Sequence, residues 1–162
     1  MSQDDLQSRD ASSRFVWPPV IYTASCLAAY ALHRLVPLPL VPAELLWPAQ
    51  ILGAILGLAG LAVAGIAEVQ FLLARTATLP VRPTSAIVAT GVYRISRNPM
   101  YLGMSLVTAA LGFWLNALWF LAILPLAVVA VTKLAIEREE RYLERKFGDG
   151  YLAYKNGTRR WL

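Results

Sequence analysis

Three observations predict an all-α, polytopic membrane protein with about four transmembrane helices and a C-terminal cytoplasmic helix. Of 162 residues, 57% are hydrophobic; the mean hydropathy is +0.52; and a formal charge of +5 falls mostly between bilayer-length apolar runs rather than within them. A single domain over residues 15–162 is the expectation at this length. A basic chain can also bind nucleic acid, but such proteins carry their basic side chains on a soluble fold with groove-reading or aromatic elements. Here anionic membrane lipids are the expected partner and nucleic acid is not.

Residues 1–14, MSQDDLQSRDASSR, are polar and of mixed charge. They lack the basic start and immediate short apolar stretch of a secretory signal, so a disordered cytoplasmic tail is expected. The first apolar run, residues 15–35, is long enough to cross about 30 Å of hydrocarbon at about 1.5 Å per residue. Pro18 and Pro19 stand in its first turn, where proline is tolerated. Pro37, Pro39 and Pro42 then forbid a continuous helix and predict an extended connection.

The second run, residues 45–73, carries Gly53, Gly57, Gly60, Ala64 and Gly65. Small residues spaced by three and four let a second helix approach closely, either within the chain or across a dimer. Glu68, near the end of that run, is an ionisable group at membrane depth and so a site candidate, or else a group reaching interfacial water. A long basic stretch with Arg75, Arg82, Arg94 and Arg97 and no acidic residue follows. A connection of that length is usually functional.

Residues 99–115 and 117–136 read as two further spans joined by a very tight turn at Asn116, and Pro125 predicts a kink in the second. Eight Lys and Arg lie from Lys133 onward, two precede the first span, and none lies in the turn at Asn116. The positive-inside rule therefore places both termini and the long connection in the cytoplasm, in a bacterial cytoplasmic membrane.

Cys26 is the only cysteine and His33 the only histidine. A disulfide framework, a cysteine-based metal site and a histidine cluster are thereby excluded, and no metal is expected. Cys26 reads as a small buried apolar residue, and His33, beside Arg34, as an interfacial anchor.

Two cytoplasmic segments carry the possible chemistry. In GVYRISRNPMYLG, residues 91–103, Pro99 fits the first turn of a helix and Asn98 its N-cap. The free backbone donors there, with Arg94 and Arg97, suit a carboxylate or phosphate on a ligand, or equally a lipid phosphate. In IEREERYLERKFGDGYLAYK, from Ile136 on, Ile136, Leu143 and Phe147 form one apolar stripe that Gly148 ends. Glu140 is spaced to lie beside that stripe and Glu139 one residue round. A solvated helix with weak Glu–Arg pairs, such as Glu137 with Arg141, is the plainer alternative.

Taken in order, these two segments resemble the membrane methyltransferases grouped with isoprenylcysteine carboxyl methyltransferase and the phospholipid N-methyltransferases. The first is similar to that group's G-x-Y-[RK]-x-x-R-[HN]-P-x-Y-x-G and the second to its E-E-x-x-L…F-G-x-x-Y-x-x-Y. The resemblance covers residues 70–162; the two earlier spans match by hydropathy alone. It implies S-adenosylmethionine bound without a Rossmann fold, in a cytoplasm-facing pocket of segments 91–103 and 136–155. Absence of a glycine-rich strand-to-helix fingerprint agrees with that.

Carried over position by position, the resemblance implies cofactor contacts from Tyr93, Arg94, Arg97, Asn98, Pro99, Tyr101, Gly103, Glu139 and Glu140. Arg97 and Glu140 would also position the reactants. Asn98 stands where the isoprenylcysteine enzymes often have histidine, which sets the acceptor apart from the cofactor. The expected activity is methyl transfer to a lipid-like or small apolar acceptor, of the isoprenylcysteine carboxylate, phospholipid amine or thiol type. An amine or thiol acceptor would call on a base, with Glu68 or Glu140 as candidates. A membrane NADPH-dependent reductase of the sterol reductase type, and a noncatalytic packing or transport protein, are the alternatives.

Overall fold

A computed structural model describes residues 18–73 and 87–162, and every regular element among them is helical. The sequence's tail at 1–14, the start of its first span, and Arg75 and Arg82 lie outside the described residues. Helix α1 spans Pro18–Leu35, α2 Leu46–Leu73, α3 Pro99–Trp114 and α4 Leu118–Val131. The chain leaves α4 through a π-helical turn, Thr132–Ile136, into α5, Glu137–Phe147, and ends with α6, Asp149–Gly157.

Among the described residues, two helical stretches are long and apolar enough to cross a membrane: Ala43–Leu73 and Leu118–Phe147. Pro99–Trp114 is apolar but shorter. Along α2 the flank away from the other helices exposes Trp47, Ile51, Ile55, Leu58 and Leu61. Water would penalise such a flank at roughly 25 cal/mol per Å² of apolar surface, and hydrocarbon would not.

The opposite flank of α2 packs against α3 through the small residues singled out by spacing. An added methyl at Gly60 would lie 2.7 Å from the Gly103 carbonyl oxygen, and one at Gly53 3.0 Å from that of Ala110. Gly57 faces the Ala110 methyl at an ordinary 3.5 Å, while Gly65 faces open space and takes no part. The seam is therefore an intrachain one, with the two helices antiparallel and their backbones nearly touching.

α1 lies against α4 and, at its start, against α3. The Tyr22 hydroxyl donates to the Tyr101 carbonyl at 3.1 Å and stands 2.8 Å from the Ser105 hydroxyl. Tyr22, Ala127, Val131, Ala135 and Ile136 form one buried cluster there. Cys26 packs in the next, against Ala29, Ala117 and Phe120, its thiol 3.7 Å from the Thr108 hydroxyl.

The far end of the bundle is closed by the tight turn. Asn116 adopts φ of 50°, a left-handed conformation in which its short polar side chain is tolerated. Its Oδ1 accepts from the Leu40 and Val41 amides, both at 2.9 Å, and its Nδ2 donates to the Val41 carbonyl at 3.0 Å. The proline-rich connection is thus bonded to the turn rather than loose. Near it, the His33 Nδ1 is buried with no hydrogen-bond partner among the described residues. Pro125 lies inside α4, and a π turn follows at Thr132–Ile136.

Candidate functional site

At the other end of the bundle, the C-terminus of α2, the N-terminus of α3 and the α4–α5 junction meet. They surround a partly open cleft. Phe71, Tyr93, Tyr151 and Tyr154 supply its aromatic surface, and Ile136 and Leu143 its apolar floor. Arg97, Asn98, Glu139 and Glu140 supply the polar groups.

Local sequence explains how these side chains arrive. Gly91 has φ of +56° and presses against the Gln70 side chain, so a Cβ there would collide with that amide. The chain can then turn tightly through a 3₁₀ helix, Gly91–Arg94, that drops Tyr93 onto Phe71 with ring centroids 5.1 Å apart. Pro99 opens α3 as the spacing predicts. On the other wall, Gly148 with φ of +51° ends α5 and lets α6 fold back, so that Tyr151 and Tyr154, three residues apart, share a face. The Tyr154 hydroxyl donates to the Tyr93 carbonyl at 2.7 Å and joins the two walls.

Glu140 is 6% exposed, a burial that a carboxylate tolerates only with partners. It has two. Arg160 donates to both its oxygens, from Nε at 2.9 Å and Nη2 at 2.7 Å, and Arg97 Nη2 stands 3.3 Å from Oε1. The Arg97 side chain is itself only 9% exposed, and its Nε and Nη1 make no hydrogen bond among the described residues. A buried guanidinium with two idle donors on a cleft wall is set up for an anionic group.

Glu139 also lines the cleft and accepts from the Tyr101 hydroxyl at 3.3 Å. Burial raises the Tyr93 hydroxyl far above its ordinary range, with the Glu139 carboxylate adding to it, and pushes Tyr154 to about 12 against the opposing charge of Arg97. Tyr151 is raised too, first by burial and then by Glu140. All three rings are therefore neutral phenols at physiological pH, fit as stacking faces and donors and not as bases.

Asn98 lines the cleft but makes no side-chain N-cap hydrogen bond, and its Nδ2 donates to the Arg160 carbonyl at 2.9 Å. Other sequence-derived residues fall elsewhere. Gly103 faces Gly60 across the seam, away from the cleft. Pro99 is buried behind the lining, Tyr101 stands behind Glu139, and Arg94 is exposed. Glu68 is not among the lining residues. Glu137 pairs back with Lys133 at 2.7 Å, one turn earlier, rather than forward with Arg141.

Sequence reasoning missed Arg160, whose pairing with Glu140 is a tertiary event with no local signal. It also passed over Tyr151 and Tyr154 as lining residues, although their i, i+3 spacing would have put them on one face.

A curated relative of Haemophilus influenzae, described only as an uncharacterized protein, is 44% identical over 64 residues. That match spans 39% of this chain and the whole of the relative. No solved structure matches the chain. The family model for phospholipid methyltransferase matches residues 49–150, which takes in the α2–α3 seam, the segment 91–103 and both Glu139 and Glu140. The chain therefore belongs to the phospholipid methyltransferase family of membrane methyltransferases.

Proposed function

We propose that the protein is a four-span integral membrane methyltransferase that uses S-adenosylmethionine in the cleft at the cytoplasmic end of the bundle. The acceptor is lipid-like or otherwise apolar. The observation that carries this reading is the buried Arg97, whose Nε and Nη1 lack partners on the wall of an aromatic-lined cleft. The residues fit the cofactor's chemistry. Arg97 offers free guanidinium donors to a carboxylate, Glu139 offers an acceptor to an ammonium or a ribose hydroxyl, and the rings of Phe71, Tyr93, Tyr151 and Tyr154 suit a purine or a sulfonium.

When bound, S-adenosylmethionine supplies a methyl group on a sulfur that is already a good leaving group. The protein's part is then to orient, to exclude water and to hold charge, which can contribute several kcal/mol through alignment alone. Arg97 and Glu140 hold one end of the cleft rigid, and the neutral tyrosines keep it dry and polarisable. Entry of the acceptor from the bilayer is motivated by the cleft's place at the end of α2, whose exposed flank is apolar.

Titrating the purified protein in nanodiscs with S-adenosylmethionine, S-adenosylhomocysteine and NADPH tests the reading. Saturable binding of the first two, lost in Arg97→Ala, is the expected result. Binding of NADPH alone would move the assignment to a reductase, and binding of none to a noncatalytic membrane protein. Methylation that depends on the acceptor's acyl length is expected; activity restricted to water-soluble acceptors would exclude the lipid-like substrate.

A further inference from the structure

The last residues of the chain form a strap across the candidate site. The Arg159 carbonyl accepts from the Arg97 amide at 2.9 Å, and the Arg160 carbonyl accepts from Asn98 Nδ2 at 2.9 Å and the Ser96 hydroxyl at 3.3 Å. Trp161 packs on the cluster of Tyr22, Ala127, Val131, Ala135 and Ile136. So anchored, the strap presents the Arg160 side chain to Glu140, whose two oxygens it takes in a forked pair.

That pairing has a consequence for Arg97. A carboxylate and a guanidinium side by side favour two parallel hydrogen bonds, which would engage a pair of Arg97 donors on Glu140. Instead Arg97 keeps one long contact of 3.3 Å, and Nε and Nη1 stay idle. Arg160 takes both oxygens of Glu140 and so leaves Arg97 in a single, unforked contact, with Nε and Nη1 free.

We infer that Arg160 is a positioning residue: by taking both oxygens of Glu140 in a forked pair it keeps the Arg97 Nε and Nη1 donors available to the anionic end of the ligand. This rests on the S-adenosylmethionine reading above. Arg160 lies outside the segment matched by the family model, and its side chain is 36% exposed, so it touches Glu140 from the outer side. Its removal lets Arg97 swing onto Glu140 in the forked geometry. The three hydrogen bonds to the strap use backbone carbonyls and survive a change of side chain.

The test compares two ligands by calorimetry on the full-length protein in nanodiscs: S-adenosylhomocysteine, which carries the amino-acid carboxylate, and 5′-methylthioadenosine, which lacks it. Wild-type protein should prefer the former. In Arg160→Gln, affinity for S-adenosylhomocysteine should fall roughly 10- to 100-fold, the size of a lost charged hydrogen bond or two. Affinity for 5′-methylthioadenosine should stay as it was. Arg160→Lys, which keeps the charge without the fork, should fall between, and both variants should keep a wild-type unfolding midpoint to within a few degrees. Equal weakening of both ligands would mean a collapsed cleft and overturn the inference, as would no change in either. Wild-type protein that binds neither ligand overturns the parent reading instead, and one that binds both alike removes the amino-acid end from Arg97.

Discussion

The α2–α3 seam and the charged end of the bundle are built on opposite principles. At the seam, glycines let two backbones approach until a single methyl would lie 2.7 Å from a carbonyl oxygen at Gly60. Contact there is non-directional, spread over several turns, and needs only the absence of side chains. At the charged end, Glu140, Arg97 and Arg160 come from three separate segments and meet in fixed geometry. The seam supplies cohesion; the charged cluster supplies orientation at some cost in stability, because each ion had to leave water.

Removing the buried carboxylate that the two arginines share should have the largest effect. Glu140→Ala leaves the Arg97 guanidinium buried and unpaired, and should lower stability by about 3–5 kcal/mol, read as a shift of the denaturation midpoint in detergent. If the cluster is there for orientation, Arg97→Met with Glu140→Leu should recover most of that loss while abolishing S-adenosylhomocysteine binding. A double variant as unstable as Glu140→Ala would show instead that the ions hold the fold together.

Gly60→Val comes next. The added atoms meet the Gly103 backbone and the Leu106 and Val107 side chains, and overpacking of this kind costs about 1–3 kcal/mol. Binding by the fraction that remains folded should fall less than in Arg97→Ala, since Gly60 does not itself line the cleft. Gly65→Ala sharpens the contrast with the smallest effect. Nothing lies within 4 Å of the added methyl, so helix propensity alone acts, for a gain of no more than about 1 kcal/mol. Destabilisation by Gly65→Ala would mean that this flank packs against something beyond the chain.

Much of the seam was legible in the spacing of Gly53, Gly57 and Gly60, because close packing leaves its mark on the same helix that uses it. Spacing could not exclude Gly65, which has the right period and faces nothing; direction around the helix is settled only once the partner is in place. The tight turn at Asn116 and the end of α5 at Gly148 were likewise local matters of side-chain size and backbone freedom. The three hydrogen bonds from Asn116 to the proline-rich connection were not, since they join residues 75 and 76 positions apart.

By itself the sequence determined an all-helical chain with bilayer-length apolar stretches, the helix start at Pro99 and the helix end at Gly148, which follow from composition, period and short-range sterics; the pairing of an arginine-bearing segment with a glutamate-bearing one came from the resemblance to a family. Only the tertiary structure decided that the Asn98 side chain bonds the C-terminal strap, that Gly103 belongs to the seam, and that Arg160 shares Glu140 with Arg97. Hydrogen bonds and ion pairs form between whichever groups the packed helices bring within about 3 Å, and residues 97, 140 and 160 meet only after the helices between them have found their partners.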